Sequence, residues 1–170
     1  MKKIIALALV FCMVFMFAAC GGEKTPDNND ANVNTNNAPA HSFTVAGNKI
    51  EMGADATSVL PALGEPKSKT EEASCAFEGL DKTYFYGSYY VTTYPNGDKE
   101  NFFSAWFVDD SVSTDEGIYI GASKQEVEDA YGADTFNGSN AYVITKGQSK
   151  LTIIIKDDAV SSITYDYIVD

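Results

Sequence analysis

From Lys82 onward, apolar and polar positions alternate with the period of two that marks strands with one buried face. The alternation predicts strands near 83–86, 89–94, 100–108 and 111–114, and again near 141–146, 150–156 and 160–167. The second group meanders through "KGQS" and "KDDA", whose glycine and aspartates suit tight turns. "FVDDSV" at 107–112 and "IKDDAV" at 155–160 both read as hairpin turns on paired aspartates.

A different period appears just before each strand group. "GIYIGASKQEVEDAYG" at 117–132 repeats, in altered form, "NKIEMGADATSVLPALG" at 48–64. At a constant offset of 68 there are six identities in fifteen positions, where average usage gives roughly one. In the later copy Ser123 caps a short helix, Glu126 bonds back three residues on, and Gly132 supplies the stop. Its apolar face is Val127, Ala130 and Tyr131. In the earlier copy Asp55 is the cap, Val59, Leu60 and Leu63 the face, and Gly64 the stop, with Pro61 kinking or splitting the helix. The pattern predicts an α+β fold in which two tandem helix-then-antiparallel-meander repeats, 42–116 and 117–170, share one domain.

Ten aromatic residues crowd 84–107. A type I turn on "YPNGD" with a bulged Gly97 pairs Tyr90 with Phe102 and puts Tyr86, Tyr90, Tyr94, Phe102 and Trp106 on one face, with Val91, Phe103 and Phe107 on the other. A two-residue turn on Asn96-Gly97 shifts this register by one and mixes the faces. With helices on the Val91 side, the Tyr86/Tyr90/Tyr94/Phe102/Trp106 face is the candidate binding surface. The alternative is that the second repeat, the N-terminal segment or the loop "SCAFEGLDKTYFYG" covers it.

Before residue 42 the pattern changes twice. Lys2 and Lys3 precede an uncharged apolar run over 4–19, too short to span a membrane comfortably and built like a secretory signal peptide. It ends in "FAACGG", which resembles the bacterial lipobox and implies that Cys20 is lipidated as the mature N-terminus. Residues 20–41, rich in Asn, Asp, Pro and Ala, read as a disordered tether. These features place the protein on the extracytoplasmic face of a cell membrane, anchored by lipid.

Charge narrows the function further. Without residues 1–19, ten lysines and no arginine face 24 acidic residues, a net of −14. Nucleic acid is therefore an unsuitable partner, and guanidinium clamping of phosphate is excluded. Cys75 is the only cysteine left after Cys12 and Cys20, and His41 the only histidine. Neither belongs to a nucleophile–base constellation, and there is no metal-ligand spacing, P-loop or nucleophile elbow. Neither a cofactor nor a metal is expected, and Asp109-Asp110 and Asp157-Asp158 read as turn formers rather than catalytic pairs.

The order of cap, short helix, glycine stop and meander, written twice, resembles the tandem repeat of the beta-lactamase inhibitor protein family. It is also similar to the single copy in assembly lipoproteins of the SmpA/OmlA type. "SCAFEGLDKTYFYG" and "STDEGIYIGASKQEVEDAYG" are similar to segments of small lipoproteins of Gram-positive bacteria. The resemblance implies fold, and no contact residue carries over. The expected function is a non-enzymatic binding module for a protein or cell-wall glycan partner, the alternative being a structural or assembly lipoprotein of the cell envelope.

Overall fold

The computed structural model describes residues 39–133 and 140–169. Its centre is a seven-stranded antiparallel sheet in the order β3-β4-β5-β6-β9-β8-β7. The strands are β3 (Ser68–Ala73), β4 (Leu80–Phe85), β5 (Tyr89–Asn96), β6 (Lys99–Phe107), β7 (Ala141–Lys146), β8 (Ser149–Lys156) and β9 (Ala159–Tyr167). A separate hairpin joins β1 (Ser42–Val45) to β2 (Asn48–Glu51), and the described residues also form the helices α1 (Val59–Ala62) and α2 (Lys124–Tyr131).

This architecture corrects the α+β expectation of helix-then-meander repeats. The chain is mostly β, with strands from both sides of position 117 joined in one sheet through the β6–β9 pair. Among the described residues helix contributes one segment of four residues and one of eight. The physical cause lies partly in the capping. Ser123 accepts from the Glu126 N–H while the Glu126 carboxylate accepts from the Ser123 N–H at 2.7 Å, so α2 starts with both donors satisfied. Ser58, at the start of α1, makes no side-chain cap bond. Asp55 instead closes a turn by accepting from the Thr57 N–H at 2.9 Å, and α1 stops after a single turn containing Pro61.

The core lies on one side of the sheet. Val91, Ala105, Phe107, Ile153, Ile163 and Tyr165 project from the strands, and Phe43, Ile50, Met52, Val112, Ile118 and Val127 close over them. Phe43 is the keystone of that layer, with ring centroids 5.0 Å from Phe107, 5.2 Å from Tyr165 and 6.0 Å from Tyr89. Gly53 lets the covering layer approach closely: its φ is +81°, and a Cβ there would sit 2.5 Å from the Tyr167 ring. His41 belongs to this folded layer. It is 7% exposed, its N–H donates to Ser149 Oγ at 2.6 Å, and its carbonyl accepts from the Met52 N–H at 3.0 Å.

Two local readings also change. "KDDA" is a hairpin turn, with Asp157 and Asp158 at φ 52° and 62°. The segment 109–114 is not: Asp109 accepts from the Ser111 N–H at 2.9 Å and turns the chain out of the sheet, so 111–114 forms no strand.

Candidate functional site

The site rests on the β5–β6 register. The turn is a two-residue one on Gly97 and Asp98, closing Asn96 against Lys99, and a bulge opposite Thr92/Thr93 leaves Phe103 outside the pairing. Past the bulge Tyr90 faces Trp106, whereas Phe102 faces Thr93. Neither register anticipated from sequence is the one formed.

That register divides the five predicted face residues. Tyr90 and Trp106 come together, half-buried, on the side away from the core. Phe102 does not join them; it is 0% exposed in the core. Tyr86 is held on the core side by the tight turn at Gly87-Ser88, where it stacks on Tyr89 at 5.1 Å. Tyr94 is buried at the bulged end of the hairpin, stacked on Phe77 at 4.3 Å and Tyr167 at 5.6 Å. The loop after β3 thus covers the Tyr94 corner. The rest of this side is half-buried or exposed, and the covering layer packs on the opposite side.

The residue that sequence reasoning missed is Phe85. It pairs with Tyr90 across β4–β5, and the three rings Phe85, Tyr90 and Trp106 form one stack. Centroids are 4.3 and 4.6 Å apart at interplanar angles of 21° and 12°. The turn in "YFYGSYY" carried the signal: a two-residue turn on Gly87-Ser88 pairs Tyr86 with Tyr89 and hence Phe85 with Tyr90.

The row continues from Trp106 to Thr164, Thr152 and Val143. Its neighbour runs Thr83, Thr92, Ser104, Asp166, Lys150 and Thr145. Thr83 and Thr92 hydroxyls lie 3.1 Å apart, and Lys150 pairs with Asp166 at 3.3 Å. The surface therefore combines an aromatic stack, rows of short hydroxyl side chains and one neutralised charge pair. Val143 and Ile154, 45% and 40% exposed, add aliphatic area near β7.

Stacking decides what such a face can recognise. A sugar ring binds an aromatic platform through the flat face of the ring, and here both faces of Tyr90 are occupied by Phe85 and Trp106. Phe85 is approached in turn by Lys67 Nζ, 5.9 Å from its centroid. What remains for a partner is the ring edges, the face of Trp106 turned away from Tyr90 and the hydroxyl rows, a combination that suits the side chains of another protein.

The ionisable groups are arranged for structure. Glu100 is paired with Lys82 and accepts from Tyr84 at 3.0 Å and from fully buried Thr93 at 3.1 Å. Burial pushes its carboxyl upward, but these hydrogen bonds prevail and its pKa lies below the usual value. Burial first, then the Glu100 carboxylate, raises the Tyr84 phenol well above the ordinary tyrosine range. A shallow cleft of about 240 Å³ beside this group is lined by Thr57, Leu60, Pro61, Tyr84, Asp98 and Glu100, with no cysteine, serine or histidine among them. His41 points its Nε2 at the Ile144 carbonyl, 3.0 Å away, and burial lowers its pKa. Cys75 is exposed. Among the described residues no three His, Cys, Asp or Glu side chains converge on a possible metal position.

No described helix is long and apolar enough to cross a membrane. The leader and Cys20 lie outside the described residues. The chain matches no protein-family model, no curated protein and no solved structure.

Proposed function

We propose that this protein is a lipoprotein anchored through Cys20 on the extracytoplasmic side of a membrane, and that its uncovered sheet face is a non-enzymatic docking surface for a protein partner. The observation that carries the reading is the Phe85–Tyr90–Trp106 stack, placed on the side of the sheet that the covering layer leaves open. Apolar rings left partly exposed together are a feature of interaction surfaces, whose binding energy concentrates in Trp and Tyr. The charged leader, the apolar run and "FAACGG" support the anchoring, because they order a cleavage signal, a small-residue site and an acylable cysteine.

The anchoring is tested by fatty-acid labelling of cells, in which Cys20→Ser abolishes incorporation. Docking is tested by photo-crosslinking in intact envelopes from single positions on opposite sides of the molecule. A photoreactive residue at Thr92, on the open face, yields protein adducts, and one at Asp129, on α2, does not. Adducts confined to Asp129 would move the contacts to the loops and helix ends, as an assembly lipoprotein would have them.

A further inference from the structure

We infer that the partner of the open face is a second copy of this chain, an inference that rests on the reading of that face as a protein-docking surface. Charge is the first argument. The chain carries a formal net charge of −12, yet the two central rows of the face hold one carboxylate and one ammonium, Asp166 and Lys150, paired at 3.3 Å. A cationic partner is steered toward an acidic surface, and this molecule offers that elsewhere, as around Glu116, Glu126 and Asp129. A partner as acidic as the chain itself is repelled from those regions and meets no excess of negative charge at the sheet, where Lys67 Nζ also lies 5.9 Å from the Phe85 ring.

The shape of the face is the second argument. Threonine and serine dominate both rows beyond the aromatic stack, so two such sheets can close to the ~10 Å spacing of a β-sandwich. Under a two-fold axis the same patch serves both copies, and the Lys150–Asp166 pair of each faces a surface without net charge.

Area sets the strength. Six strand spacings of about 4.8 Å by five residues of about 3.3 Å give roughly 500 Å² per copy, hence about 1,000 Å² in a pair. That is the lower limit for a specific interface, so the pair is weak when free and is favoured when both copies are tethered to one membrane.

The test uses the full-length chain in detergent micelles over a wide concentration range. Sedimentation gives the mass, while the single tryptophan reports on the face through its emission and its quenching by acrylamide. The expected result is a monomer–dimer equilibrium in which Trp106 shifts to the blue and loses quenching as the dimer forms. Thr164→Lys, next to Trp106 in the row, keeps the melting transition and holds the chain monomeric; Thr92→Lys, in the adjoining row, does the same should the first variant fail to fold. A monomer at every concentration with a quenchable Trp106 overturns the second-copy inference and leaves the open face standing. A dimer that neither variant weakens also overturns it, by placing the contact elsewhere. A monomer whose Trp106 is already shielded overturns both the inference and the open-face reading beneath it.

Discussion

The two faces of the sheet use the same kind of residue in opposite ways. On the covered side Phe43, Phe107 and Tyr165 meet at varied angles, 71° for Phe43–Phe107 and 28° for Phe43–Tyr165, filling volume between two layers. On the open side Phe85, Tyr90 and Trp106 stand nearly parallel across three adjacent strands. The covered rings are held by a second layer of chain, whereas the open rings are held by each other. Aromatic density alone therefore reveals neither core nor site. The pairing register does, because it decides which rings have a layer opposite them.

The covered side is the more sensitive to substitution. Phe43→Ala removes the ring that joins Phe107, Tyr165 and Tyr89, and the expected loss is about 3–5 kcal/mol in equilibrium urea unfolding. A smaller effect comes from the approach of the covering layer to the sheet. Gly53→Ala combines a positive φ with a Cβ 2.5 Å from the Tyr167 ring, and it should cost about 1–3 kcal/mol. Gly121→Ala, at φ +97° but with nothing within 4 Å, should sit at the lower end of that range. Equal losses at the two glycines would mean that the Tyr167 contact carries no energy.

Smaller again is Ser123→Ala, which opens the capping box of α2 and should cost about 1 kcal/mol, read as a lower urea midpoint at unchanged slope. The smallest effect is that of pH on His41. Its folded pKa lies below the 6.5 of an unburied histidine, so the unfolded chain binds the proton more readily. Stability is full above pH 6.5 and declines as the pH falls through the interval between the two values. His41→Gln should flatten the stability profile across that interval in urea titrations.

The strands from Leu80 onward were legible because burial on one side imposes alternation. β3 was not, since all six residues of "SKTEEA" are exposed and no face of it selects apolar side chains. β1 and β2 were missed because each is four residues long and fully buries a single side chain, Phe43 or Ile50. The capping box at Ser123 could be read directly, being a local interaction. The unformed second helical turn near Pro61 could not, because Asp55 was free to close a turn instead of capping a helix. Of the candidate face, Tyr90 and Trp106 stand where their alternation put them. Tyr86 and Phe102 do not, because a tight turn and a bulge at Phe103 redistribute their positions, and Tyr94 is covered by Phe77 from the loop after β3.

The one-sidedness of the sheet is tested most directly at the adjacent residues Trp106 and Phe107. They point to opposite sides of β6, and Phe107 is 6% exposed against the Phe43 and Tyr165 rings. Each is replaced by alanine and unfolded in urea under identical conditions. The predicted result is a loss of about 3–5 kcal/mol for Phe107→Ala and of about 1 kcal/mol for Trp106→Ala, the latter reflecting the lost stack on Tyr90. Equal losses, both in the core range, would show that Trp106 is covered too and would contradict the open face.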